Sequence, residues 1–240
     1  IAFDGDADRV VFVTPDGVLI DGDHILGILA VQMQRYGHLS GNTVVATEMS
    51  NSGLEDFLKG KGISLSRTRV GDRYVAERMI QGGFSLGGEQ AGHIMIWDEN
   101  NMNDDGIYIG LLISSMIAHN KQHGGPTLDE MAAGIRRYPQ VIASATLNRT
   151  INLDGFADLE KLKQTTLSTF APKGRVNVRF SGTEPNLLRV MVEGGPGSDI
   201  HQVIAAAVAI CKLVANETDT PEPVIDIVDC ATGAPVRQPR

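Results

Sequence analysis

The chain has 240 residues, 42% hydrophobic and 21% charged, the profile of one large or two ordinary globular domains. A formal net charge of −8 argues against a nucleic-acid partner, so an anionic ligand would need locally placed Arg, Lys and backbone N–H groups. Cys211 and Cys230 make neither a disulfide framework nor a metal spacing, and the apolar run from Val203 to Ile210 is too short to span a bilayer, so the expectation is a cytoplasmic protein with no membrane partner.

The predicted elements alternate. Ile1-Ala2-Phe3 and Val10 to Thr14 read as strands, and Pro15-Asp16-Gly17 turns the second of them into Val18 to Ile20. Asp21-Gly22-Asp23 offers an N-cap for a helix over His24 to Tyr36, closed by Gly37. Strands follow at Thr43 to Ala46, Ser64 to Val70, Phe84 to Leu86 and Ile94 to Trp97, with helices over Leu54 to Lys61 and from Gly71-Asp72-Arg73 to about Ile80. Such alternation implies an α/β domain. Asn103-Asp104-Asp105 caps an apolar helix over Ile107 to His119, and the capping-box spacing of Thr127 and Glu130 opens another that should reach Tyr138. Past Pro139 the order is strand (Val141 to Leu147), helix (Phe156 to Phe170), two strands (Arg175 to Phe180 and Leu187 to Glu193) and helix (Asp199 to Asn216), a compact α+β unit. From Thr218 the Pro- and Asp-rich composition predicts a poorly ordered tail.

Three loops carry chemistry. In the first, Asp4, Asp6 and Asp8 precede Arg9 between two strand signals. Small residues at Gly5 and Ala7 let the loop turn back so that the carboxylates converge, and converging carboxylates repel unless a hard cation, Mg2+ or Ca2+, neutralises them. An EF-hand would need Gly at its sixth position and Glu at its twelfth, where this chain has Arg9 and Pro15. A haloacid-dehalogenase-type phosphatase would use Asp4 as nucleophile but normally has Thr or Val where Asp8 stands. A plain acidic turn without a cation is the remaining alternative. In the second loop, Gly87-Gly88-Glu89-Gln90-Ala91-Gly92-His93, glycines allow close backbone approach, Glu89 can accept from two sugar hydroxyls, and His93 can shuttle a proton or meet a phosphate. The alternative is a glycine-rich strand connection. The third runs from Arg179 to Asn186: backbone N–H groups and hydroxyls of Ser181, Gly182 and Thr183, with Arg179 and Arg189, suit a phosphate.

These loops, in this order, resemble the metal (DGDADR), sugar (GE-x-SGH) and phosphate (R-x-SGTEP) loops of the α-D-phosphohexomutases, with Ala91 in place of the usual Ser and Phe180 in place of the usual Pro. Arg69 to Val75 and Leu188 to Glu193 are similar to the branch of that family acting on glucosamine phosphate. The resemblance implies residues 1–20 as the end of domain 2, a mixed α/β-sandwich domain 3 over 21–138, a TATA-binding-protein-like α+β domain 4 over 139–217, and a tail over 218–240. It implies Mg2+ on Asp4, Asp6 and Asp8. It implies sugar contacts from Glu89, Ala91 and His93, phosphate contacts from Arg179, Ser181, Gly182, Thr183 and Arg189, and catalytic parts for His93 and Arg9. The implied reaction interconverts glucosamine 6-phosphate and glucosamine 1-phosphate through a bisphosphate, using a phosphoserine on an N-terminal domain. No phosphoserine loop of the SASHNP kind occurs among these residues, so the expectation is the C-terminal part of a longer mutase, inactive by itself.

Overall fold

The computed structural model describes residues 1–98 and 101–236, and divides the chain into two units, Ile1–Arg136 and Arg137–Arg240. In the first unit a small antiparallel sheet, β1 (Ala2–Phe3), β2 (Val10–Val13) and β3 (Leu19–Ile20), leads into α1 (Gly22–Arg35). The larger sheet has the order β5-β4-β6-β7-β8, made of β4 (Thr43–Thr47), β5 (Ser64–Thr68), β6 (Leu86–Gly88), β7 (Ile94–Asp98) and β8 (Asn101–Asn103). Strand β4 runs parallel to both β5 and β6, whereas β6–β7 and β7–β8 are antiparallel.

Strand β4 is buried along its whole length because both of its faces are covered, as parallel strands require. Val44 and Ala46 join Ile25, Leu26 and Leu29 of α1 in one cluster. Val45, pointing the other way, packs with Val75 and Met79 of α3 (Asp72–Gly82). Helices α1, α2 (Ser52–Gly60) and α5 (Leu128–Ala132) therefore share one side of the sheet and α3 the other.

Two helix ends differ from expectation. Helix α4 (Gly106–His123) continues a turn past His119 and stops only at Gly124, whose φ of 69° makes the left-handed cap. Helix α5 has the Thr127–Glu130 capping box but ends at Ala132 instead of reaching Tyr138. Ile135 drives into the core there, so close that a Cβ on Gly27 would lie 2.5 Å from its Cδ1. Tertiary packing overrides the helical pattern.

The second unit is an antiparallel sheet of order β10-β11-β9-β12, formed by β9 (Gln140–Thr146), β10 (Arg175–Phe180), β11 (Leu187–Glu193) and β12 (Ile225–Asp229). Val141, Ala143 and Ala145 alternate onto the face that also carries Leu188, Val190 and Val192, where α6 (Ala157–Thr169) and α7 (Ile200–Glu217) pack. Helix α7 is long and apolar enough, by length and composition, to cross a membrane; Val203, Ala207, Ile210, Cys211 and Val214 instead face the sheet core. Burial pushes the Cys211 thiol up to about 12, which leaves it an inert packing group.

Strand β12 corrects the reading of a poorly ordered tail over residues 218–236; residues 237–240 of that tail lie outside the described residues. Ile225 and Ile227 alternate with Asp226 and Val228, and the strand pairs along β9 from Ile225–Ala145 to Asp229–Val141. The flanking prolines hid a five-residue alternation. Because Ile227 is 2% exposed, Ile227→Ala should destabilise the second unit by roughly 2–5 kcal/mol, the range for truncating a buried Ile. A urea melt on the purified chain checks this, and an unchanged midpoint would place the segment outside the core.

Candidate functional site

Phe3 pairs with Val10, so residues 4–9 must reverse direction between adjacent strands. The left-handed residue that achieves this is Ala7, at φ 60°, while Gly5 does not take a positive φ. The Ala7 N–H donates to the Asp4 carbonyl at 3.3 Å. The Arg9 N–H donates to Asp4 Oδ1 at 3.2 Å, and Arg9 Nη1 donates to Asp4 Oδ2 at 3.0 Å. The loop thereby brings one oxygen each of Asp4, Asp6 and Asp8 within 4.8 Å of one another.

Burial pushes the Asp8 carboxyl up, and the charges of Asp6 and Asp4 add to this against the pull of His93 and Arg9. On Asp4 the burial effect is outweighed by the Arg9 N–H, a hydrogen bond with Asp8 and the Arg9 charge, which hold it below the ordinary carboxylate value. Asp8 Oδ1 is buried and has no hydrogen-bond partner among the described residues. Three converging carboxylates, one of them with an unsatisfied oxygen, fit Mg2+ or Ca2+ and give no reason for a soft metal.

The second loop connects β6 to β7 and is laced to its neighbours by backbone bonds. Glu89 N–H donates to the His93 carbonyl (2.8 Å) and Gly92 N–H to the Glu89 carbonyl (3.0 Å). Val10 N–H donates to the Gly92 carbonyl (3.1 Å), and an isolated bridge pairs Arg9 with His93. Gly92 is needed for this approach: its φ is 99°, and a Cβ would come 2.5 Å from the Val10 carbonyl oxygen. The acidic loop and the glycine loop are thus one assembly. His93, 3% exposed, sets its Nδ1 3.5 Å from Asp8 Oδ2, and its buried Nε2 has no partner among the described residues. Glu89 is half-buried, and its Oε1 accepts the Gly71 N–H at 3.2 Å. Ala91 is exposed at the tip.

A cavity of about 350 Å³ opens beside Asp6, Asp8 and His93, and its other walls include Asp72, Asp104 and Asp105. In the sequence all three belong to helix starts, and Asp105 does cap α4: its Oδ1 accepts the N–H groups of Ile107 (2.7 Å) and Tyr108 (3.2 Å). Nothing in their local pattern says that two helix starts border the same cavity. A larger cavity of about 670 Å³, lined by Met33, Met79, Phe84 and Trp97 among others, contains none of the candidate residues.

The third loop lies in the second unit, where it joins β10 to β11. Arg179 and Arg189 stand directly opposite across the two strands. Two guanidinium groups so placed repel unless an anion lies near them, and Glu184 pairs with Arg189. Ser181 enters differently from expectation. Its backbone N–H donates to the Leu187 carbonyl at 2.7 Å, so the ladder takes that donor, and its hydroxyl is what points into the loop. Ser181 Oγ accepts the N–H groups of Glu184 (3.2 Å) and Thr183 (3.4 Å). A Cβ on Gly182 would meet nothing within 4 Å, so the backbone there is open to a ligand.

The profile described as "Phosphoglucomutase/phosphomannomutase, alpha/beta/alpha domain III" matches residues 21–138, and that of the C-terminal domain of the same proteins matches residues 145–210. The chain belongs to the phosphohexomutase family. Among curated phosphohexomutases, the phosphoglucosamine mutase of Caldanaerobacter subterraneus is 46% identical over 209 residues, covering 85% of this chain and 44% of the relative. That of Geobacter metallireducens is 40% identical over 217 residues, covering 90% of this chain and 46% of the relative. The chain therefore spans less than half the length of these phosphohexomutases. Among solved structures, the N-acetylphosphoglucosamine mutase of Aspergillus fumigatus in complex with GlcNAc-6P and magnesium shares the fold at a TM-score of 0.68 and 22% identity, over 88% of this chain and 51% of that one.

Proposed function

We propose that this chain is the metal-, sugar- and phosphate-binding half of an isomerase that interconverts glucosamine 6-phosphate and glucosamine 1-phosphate. The observation that carries the proposal is the single assembly of residues 4–9 with residues 87–93, in which the Asp8 carboxylate lies 3.5 Å from the buried His93 ring. Support comes from relatives 40–46% identical whose names are phosphoglucosamine mutase.

In this reading the phosphoryl group comes from a phosphoserine on a part of the protein outside this chain. It passes to the free hydroxyl of the hexosamine phosphate, giving a bisphosphate. After the sugar turns over, its other phosphoryl group returns to the serine, so the net change is an isomerisation and no oxidant or reductant is needed. Asp4, Asp6 and Asp8 would hold Mg2+, which when bound offsets negative charge at the phosphoryl group being transferred. Glu89 accepts hydrogen bonds from the ring hydroxyls. Arg179, Ser181, Gly182, Thr183 and Arg189 would supply the charge-assisted bonds to the phosphate that is not reacting. His93, which lines the cavity and has Asp8 beside its Nδ1, is the candidate to take or give the proton of the reacting hydroxyl. Arg9, bonded to Asp4, keeps the metal loop in register and adds positive charge beside it.

A glucose or mannose phosphate preference is the second reading, because the matching profiles carry the names phosphoglucomutase and phosphomannomutase. A coupled assay on the longer protein separates the two. The glucosamine phosphates should show the highest kcat/KM, and a wide margin in favour of glucose or mannose phosphates would overturn the substrate while leaving the reaction class in place.

A further inference from the structure

The proposed chemistry makes no use of Asp23, a buried carboxyl group with two donors on one of its oxygens. Asp23 sits in the first turn of α1 and is 2% exposed. Its Oδ2 accepts the Asn51 N–H at 2.8 Å and the side-chain amide of Gln90 at 3.1 Å. Asn51 is itself the N-cap of α2, so this buried carboxylate lies at the N-terminal ends of two helices, where their dipoles favour an anion. Such a charge is tolerated in the interior only when donors satisfy it, and one of the donors is a residue of the glycine loop. The backbone grips the same residue from the other side: Gly22 N–H donates to the Gln90 carbonyl at 3.0 Å, and a Cβ on Gly22 would come 1.9 Å from the Glu89 carbonyl oxygen. Gln90 is therefore held at its main chain by Gly22 and at its side chain by Asp23, next to the carboxylate of Glu89.

We propose that Asp23 is a positioning residue which, acting through Gln90, fixes the Glu89 carboxylate where the sugar hydroxyls meet it. The inference rests on the reading of residues 87–93 as the sugar-binding loop. These bonds of Asp23 and Gln90 do not touch Asp4, Asp6 or Asp8, so the effect falls first on sugar-phosphate binding.

A double-mutant cycle in the longer protein tests this. Asp23→Ala and Gln90→Ala should each raise KM for the hexosamine phosphate about tenfold, the scale of one lost hydrogen bond to a charged group. The double variant should be no worse than the poorer single one, because both remove the same strut. Asp23→Asn retains an acceptor oxygen and should recover most of the loss. If Asp23→Ala fails to fold, the exchange measurement on Gln90→Ala decides instead. KM effects that add, or a fall in kcat or melting temperature with KM unmoved, would overturn the positioning role. A second arm needs no substrate: hydrogen exchange on this chain carrying Gln90→Ala should quicken at the Glu89 and Gly92 amides and stay unchanged in β4. Unaltered exchange at those two amides would overturn the strut whatever the loop binds. A longer wild-type protein with no turnover of any hexose phosphate would instead sink the sugar-loop reading, and the proposal with it.

Discussion

Asp8→Asn in the longer protein should lower kcat by roughly 10²–10³-fold, the range for removing one preorganised electrostatic contact at a reacting group. Asp8 is singled out over its two neighbours because its carboxylate lies 3.5 Å from His93 Nδ1. The same change is measurable on this chain by titration calorimetry with Mg2+, where Asp6→Asn or Asp8→Asn should weaken binding and an unaltered affinity would contradict the assignment of the loop. The pH dependence has a definite sign. The Asp8 carboxyl is raised by burial and by its acidic neighbours, so protons compete with an entering cation at a higher pH than for an ordinary carboxylate. Mg2+ affinity should therefore be full above that raised value and fall as pH drops through it. In the metal-free chain the sign is opposite: a raised carboxyl contributes stability below its unfolded-state pKa and loses it as pH rises. Asp8→Asn should flatten both trends.

Arg179→Ala combined with Ser181→Ala should weaken glucosamine 1-phosphate binding by about 10²–10³-fold. A lost charge-assisted bond from Arg179 costs about 1.5–3 kcal/mol, and the hydroxyl about 1 kcal/mol more. The Ser181 contribution has a second origin: its Oγ accepts the Glu184 and Thr183 N–H groups, so the substitution also loosens the loop backbone. Arg189→Ala should cost less in the free protein, since Glu184 already partners that guanidinium and must be displaced when an anion binds. Calorimetry at physiological salt is the appropriate measurement, because weak surface charge effects are screened there. Binding unchanged in the double variant would remove the third loop from the phosphate site.

What the sequence revealed follows from the range of the forces involved. Most strands of both units, β8 and β12 excepted, and the start of nearly every helix were legible, because alternation and N-capping are local; Asp21, Asn51, Asp105, Thr127 and Asp199 all cap through their side chains. The acidic loop was legible for the same reason, although the residue making its turn is Ala7 at φ 60°, a backbone state that residue type does not announce. Long-range facts were hidden. Strand β12 is stabilised by β9, some 80 residues earlier, and its local composition resembles a tail. The early end of α5 depends on where Ile135 packs. Asp23 and Gln90 are far apart in sequence, and neither residue type signals the bond between them. The convergence of Asp72, Asp104 and Asp105 on the cavity beside His93 likewise arises only from the packing of the first unit.

The proposed division of labour between this chain and the rest of a longer protein is tested most directly by one coupled assay. Glucosamine 6-phosphate, Mg2+ and a glucosamine 1,6-bisphosphate primer are supplied to this chain and, in parallel, to the longer protein that contains it. Metal, sugar and phosphate loops bind and orient a substrate, but a mutase also needs a group that stores the phosphoryl between half-reactions. The account predicts steady formation of glucosamine 1-phosphate by the longer protein and none above background by this chain. Turnover by this chain alone would contradict it and would place the phosphoryl acceptor within residues 1–240, with the Asp4 carboxylate as the first group to trap.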